Sequence, residues 1–151
     1  MQKTFLNVVY GDTTYNGFDF EALPIGAALL VAQQQIDQSA DQALAATLGD
    51  PLRAIENQLA EGEAKAFKQA GYAGEVPLTV QAMVDAQGVE PVEAAESILQ
   101  EAQAWHAAVC SIRAVRLKGK VEVLKATTHA QAESYADGAI NAIRASVPGA
   151  V

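Results

Sequence analysis

At 151 residues and 15.8 kDa the chain is the size of one ordinary domain, and half of its residues are apolar, enough to bury a core. A formal charge of -8 and a pI near 4.6 argue against nucleic-acid binding, which rests on neutralising phosphates with clustered Lys and Arg. Cys110 is the sole cysteine, so no intrachain disulfide can form and no secreted disulfide framework is implied.

Much of the apolar half is alanine, which favours close helix packing and contributes little transfer energy per side chain. The acidity is uneven. Met1 to Asp50 holds one Lys against six acidic residues, whereas Pro91 to Lys125 holds five basic against four acidic. We expect no signal peptide, because Lys3 is followed at once by a mixed polar and apolar stretch. We also expect no membrane segment: the longest apolar run, Leu23 to Ala32, is interrupted by Pro24 and Gly26 and is half the roughly 20 residues a span requires.

Taken in chain order, Thr4 to Tyr10 is rich in β-branched and aromatic residues, Gly11 to Thr14 is turn-like, and Tyr15 to Phe20 alternates aromatic with polar. The pattern predicts a β-hairpin or two short strands. An isolated hairpin is marginal in water, so residues 1–22 are expected to act as a docking arm that packs on helices or joins another chain's sheet. From residue 23 onward the composition turns to Ala, Gln, Leu and Glu, predicting a single compact helical unit over 23–151. A first helix should run from near Pro24 to Leu48 and end at Gly49. A second, capped by Asp50 with Pro51 in its first turn, should reach about Ala70 before Gly71. After the Gly71–Val76 turn, Pro77 opens a short third helix ending at Gly88.

Glu90-Pro91 opens a fourth helix that could reach Lys125, with Gly119 as its weak point and Ile98, Ala102, Trp105, Val109 and Ile112 as one apolar stripe. Thr128 and Gln131 form a capping-box pattern for a fifth helix through about Ser146, ended by Val147-Pro148-Gly149. The fold class expected is therefore mainly α: a bundle of four to five helices with an N-terminal β-hairpin.

No catalytic, cofactor or metal constellation is apparent. His106 and Cys110 share a helix face and read as a partly exposed His beside a buried thiol, and His129 reads as a solvated surface residue. The glycines of Gly71-Tyr72-Ala73-Gly74 follow a helix and read as turn glycines rather than a phosphate cradle. Glu61 with Glu63, and Glu93 with Glu96, read as solvated carboxylates. Trp105, Phe67 and Tyr72 read as core anchors.

Two features suggest contact surfaces. Five rings, Phe5, Tyr10, Tyr15, Phe18 and Phe20, crowd into the first twenty residues, more than a small hairpin hides beneath itself, and large aromatics dominate interface energies. Arg113, Arg116 and Lys120 recur at helical spacing with Lys118 and Lys125 nearby. That basic patch is either an exposed face pairing with Glu122 and the acidic N-terminal region, a contact for an acidic neighbouring subunit, or a site for an anionic ligand in a small regulator or enzyme.

The stretch from Ala64 to Ala145 carries Phe67, the Gly71-Tyr72-Ala73-Gly74 turn with Val76-Pro77, Gln87-Gly88, Ala94-Ala95, Ile98-Leu99, Ala104-Trp105 and the run Ile112 to Lys120. In these it resembles a helical module of small tail or tail-fibre-associated proteins of tailed bacteriophages. The resemblance implies a non-enzymatic structural component of the tail or baseplate, or alternatively a tail-fibre assembly chaperone absent from the finished virion. It implies other phage tail proteins as partners, a homo-oligomer within an assembly, and a place in the virion tail after passage through the host cytoplasm. No cofactor, nucleic acid or membrane is expected to be involved.

Overall fold

The positions of Pro, Gly and capping residues dictate a mainly helical architecture with an N-terminal hairpin, and the structure has it. The computed structural model describes residues 1–147. In chain order it holds β1 (Leu6–Tyr10), β2 (Thr13–Phe18), a 3-10 turn at Phe20–Ala22, and helices α1 (Ile25–Leu48), α2 (Pro51–Gln69), α3 (Leu78–Gln87), α4 (Pro91–Leu124) and α5 (His129–Ala145). The expected stop at Pro148-Gly149 lies outside the described residues.

Three of the helix starts show how the orphan N–H groups of a first turn are answered. The Asp50 carboxylate accepts from the Leu52 N–H at 2.8 Å, opening α2. The Thr128 hydroxyl accepts from the Gln131 N–H at 3.2 Å, and the Gln131 side chain accepts in return from the Thr127 N–H at 2.9 Å, opening α5. Helix α3 begins after Pro77, which has no side-chain acceptor to offer. Glu63 of α2 takes that role, accepting from the Thr79 N–H at 3.0 Å and the Thr79 hydroxyl at 2.7 Å.

The expectation of an arm plus one compact helical unit gives way to two compact units. The first comprises Met1–Thr47 and the chain from Ala108 onward, so the hairpin belongs to it. The second is Leu48–Ala107. The reason lies in where apolar side chains go: Leu6 and Val8 of β1 share a core with Phe20, Leu23, the inner face of α1, Ile112, Val123 and the buried row of α5. The second unit has its own core of Ala64, Phe67, Val80, Ala94, Ala95 and Ile98, with the Phe67 and Tyr72 rings edge to face at 5.5 Å.

Helix α4 contributes Ile98 to one core and Ile112 to the other, and the stripe residues between them, Ala102, Trp105 and Val109, are half-buried. Trp105 is therefore not a core anchor. Its indole lies against the ring of its neighbour His106, with centroids 5.0 Å apart.

Gly119 also differs from expectation, because α4 runs through it unbroken and it is buried. A Cβ there would lie 2.4 Å from the Ala139 Cβ of α5 and 3.4 Å from the Ile36 Cδ1 of α1. The glycine is the point where three helices of the first unit approach one another. Gly119→Ala, which would stabilise an exposed helix by about 1 kcal/mol, should here destabilise by roughly 1–3 kcal/mol through overpacking. Urea denaturation checks this, and adding Ala139→Gly should recover part of the loss.

Hydrogen bonds from the Thr79 hydroxyl and then the Thr79 backbone hold the Glu63 carboxyl below its ordinary value. A lowered folded-state value means the contribution is present above the ordinary glutamate range and lost as pH falls through the folded value. Acid should therefore loosen α3, and Glu63→Gln should flatten that acid dependence, as read by helix-resolved hydrogen exchange across pH 6 to 3, a range chosen to bracket the usual carboxylate value of about 4.3.

Candidate partner-binding surface

The hairpin is built by its turn and one irregularity. Gly11 takes φ +58 in the two-residue turn, tighter than the four-residue turn expected from sequence. The register pairs Val8 with Tyr15 and Asn7 with Asn16, then jumps to pair Leu6 with Phe18. Gly17 is the extra residue, at φ +72, with its N–H bound to the Asn7 side-chain oxygen at 2.9 Å. The bulge brings the Phe18 ring edge to face with Tyr15 at 5.5 Å, which strict alternation along β2 would not do.

One face of the hairpin lies on the first unit through Leu6 and Val8, both buried. The chain before it is tied down as well: Gln2 and Gln35 exchange reciprocal hydrogen bonds at 2.6 and 2.9 Å, Lys3 pairs with Glu133 at 2.5 Å, and the Lys3 carbonyl accepts from the Phe20 N–H at 2.8 Å. The hydrogen bond and charge of Glu133 raise the Lys3 ammonium above its usual value.

The five candidate rings divide. Phe20 is 1% exposed, edge to face with His129 at 5.7 Å, so as a core side chain it has no surface to offer a partner. Tyr15 is half-buried against the same core. Tyr10 is exposed on its outer side but rests on α1, where a Cβ at Gly26 would lie within 2.2 Å of its hydroxyl. Phe18 is exposed beyond its contact with Tyr15, and Phe5 is 79% exposed. Val9, on the outward face, is 62% exposed. Each strand has one unpaired edge, since the sheet has two strands.

Phe5 also sits at φ +54. A bulky side chain in the left-handed region costs of order 1 kcal/mol or more and persists only where its surroundings impose it. Here they do, because the residues before it are held by α1 and α5 and those after it by the strand pairing. The result is a rigid corner that presents a phenyl ring to solvent.

The basic trio divides too. Lys120 lies 2.5 Å from Asp37 of α1, and Arg116 approaches the same carboxylate at 4.0 Å. Arg113 points to solvent without an ion pair among the described residues. Lys118 lies 3.9 Å from Glu122. An anionic ligand would thus compete with Asp37 for two of the three cations.

Other polar groups have structural partners. Cys110 is exposed, not buried, because its position on α4 faces away from the core that holds Ile112. His129 is half-buried rather than solvated: its Nε2 is 2.9 Å from the Leu23 carbonyl, fastening α5 to the segment that leads into α1. Glu61 pairs with Lys65 at 2.5 Å, and Glu96 pairs with Lys68 at 2.7 Å while accepting from the Tyr72 hydroxyl. The bond from Lys68, then that from Tyr72, holds Glu96 below its ordinary value. An open cleft of about 350 Å³, lined by Ser39, Gln42, Ala43, Ala46, Arg144 and Val147, brings together neither an acid–base pair nor a nucleophile with a base. Among the described residues no three His, Cys, Asp or Glu side chains cluster as a metal site, and no helix is long and apolar enough to cross a membrane.

Comparison of the chain with protein-family models, with curated proteins and with solved structures finds no match.

The division of the rings makes a contrast measurable in the isolated chain. Phe20→Ala should cost about 3–5 kcal/mol by chemical denaturation. Phe5→Gly should leave stability unchanged or raise it, because glycine accepts the left-handed conformation that phenylalanine resists.

Proposed function

We propose that this chain is a non-enzymatic structural protein of a bacteriophage tail, acting through protein–protein contacts, with the exposed apolar side chains of the hairpin as its docking surface. The observation that carries the contact role is the exposed apolar surface of a hairpin already anchored through Leu6 and Val8: Phe5 at the corner before β1, Val9 on the outward face, and the exposed margins of Tyr10 and Phe18 at the rim of the anchored face. A rigid aromatic loses little conformational freedom on binding, and such side chains supply most of the energy of an interface. The unpaired strand edges offer backbone donors and acceptors to the same partner. Assignment to a phage tail rests on the resemblance of residues 64–145, and the tail or baseplate region, fibre attachment or subunit bridging is the role it supports.

Quantitative mass spectrometry of purified phage particles tests the proposal. The chain should be present in a fixed ratio to the other tail proteins, and a Phe5→Ser, Phe18→Ser variant that folds normally should drop out by at least tenfold, the loss that removing about 1.4 kcal/mol produces. Absence of the wild-type chain from finished particles that require it for assembly would contradict a structural role and assign it to transient fibre assembly.

A further inference from the structure

The face of α4 turned away from the first unit's core carries a second contact surface. Cys110, Ala114, Leu117, Val121 and Leu124 follow the alternating four-three spacing of a coiled-coil seam, and every one of them is exposed. Leu117, Val121 and Leu124 are each about half exposed or more. On the opposite side of the same helix Ile112, Gly119 and Val123 are buried, so the helix has one stripe satisfied and a second without a cover among the described residues. The seam extends roughly 21 Å at 1.5 Å per residue.

Charge selects the occupant. The positions flanking such a seam, which set partner choice in coiled coils, are Arg113 and Lys120 on one side and Ser111, Lys118 and Lys125 on the other. Four of the five are basic and none is acidic, on a chain whose net charge is -8. Asp37 answers Lys120 from α1, and Glu122 stands 3.9 Å from Lys118, whereas Arg113 and Lys125 have no ion pair among the described residues. Two copies meeting through this seam would set cation against cation. A parallel pairing opposes Arg113 to Lys118 and Lys120 to Lys125, and an antiparallel pairing opposes each side to itself. Self-association is therefore disfavoured in either direction. The second exposed stripe of the chain, Leu52, Ile55 and Leu59 on α2, has Glu56 beside it but also Gln58 and Arg53, and so lacks the uniform acidity needed to complement four cations.

We propose that the exposed seam of α4 from Cys110 to Leu124 docks an amphipathic α-helix of another protein, one with branched aliphatic residues along its own seam and Asp or Glu on both flanks. The apolar stripe supplies burial and the four cations supply specificity against basic or neutral helices. This surface is separate from the hairpin and stands or falls independently of the phage-tail assignment.

Cys110 lies in the seam and serves as the reporter. The probes are synthetic helices of about four heptads with Leu and Ile along the seam, a central Cys carried as its glutathione disulfide, and either Glu or Lys on both flanks. In exchange, the Cys110 thiolate attacks the peptide sulfur and releases glutathione, so the equilibrium yield of mixed disulfide reports docking. The Glu-flanked helix should capture Cys110 with at least a tenfold advantage over the Lys-flanked one, and the advantage should shrink in high salt. In the chain carrying Arg113→Glu, Lys118→Glu and Lys125→Glu the preference should reverse. In the chain carrying Leu117→Gln and Val121→Gln, exposed positions whose replacement leaves the fold intact, the capture by either helix should fall to the level of a short disordered peptide. Equal capture of both helices, an acid preference that survives loss of the seam, or rapid Cys110–Cys110 cross-linking of the chain with itself on mild oxidation would each overturn the proposal.

Discussion

The close approach of α1, α4 and α5 at Gly119 is the constraint on which the first unit depends. Its inner surfaces are lined by small side chains: Ala27, Ala28, Ala32 and Ala40 on α1 and Ala132, Ala136 and Ala139 on α5 are all buried. Alanine gains little from burial by itself, but it lets helix backbones come near enough for Ile36, Ile112, Ile140 and Ile143 to fill the remaining space. A core so thin leaves room for one row of the hairpin, Leu6 and Val8, and for one ring, Phe20. Tyr15 reaches it only in part, and Phe5 and Val9 stay outside.

That limit gives the exposed groups their meaning. Exposed apolar residues scattered singly are ordinary on any surface, but Phe5, Val9, Tyr10 and Phe18 are four within a span of fourteen residues, on or beside a short hairpin whose preceding segment is tied to α1 and α5. The ion pairs that hold it lie at the surface, where each is worth little, so positioning rests chiefly on the buried strand residues and on the backbone bond between Lys3 and Phe20. The exposed stripe on α4 has a different character: its large side chains are aliphatic and its flanks are basic. One surface is suited to aromatic and strand-edge contacts, the other to a helix of opposite charge.

What could be seen in the sequence was what neighbours in the chain decide. Asp50, Thr128, Gly49 and Gly88 act within one turn of their own position, and the five helices end within a residue or two of where those residues place them. The hairpin was legible from its β-branched and aromatic run. What depended on distant residues was not. Glu63 caps a helix sixteen positions away, Lys120 meets Asp37 across eighty-three, and Gly119 looked like a weak point because the methyl group that requires it, on Ala139, belongs to another helix. Phe5 and Phe20 are the same residue type fifteen positions apart, and nothing local in the sequence separates the ring that the left-handed corner at Phe5 presents to solvent from the one that lies in the core beside Leu23. The division into two units is set by which apolar faces find each other, and no long linker in the sequence marks it.

Whether another polypeptide covers Phe5 and its exposed neighbours on the hairpin in the working assembly can be read with a photo-crosslinking residue at position 5, activated in intact assembled particles and analysed by mass spectrometry. A dominant crosslink to a different chain at one defined site is expected. Crosslinks confined to the chain itself, or reaction with water alone, would contradict this expectation.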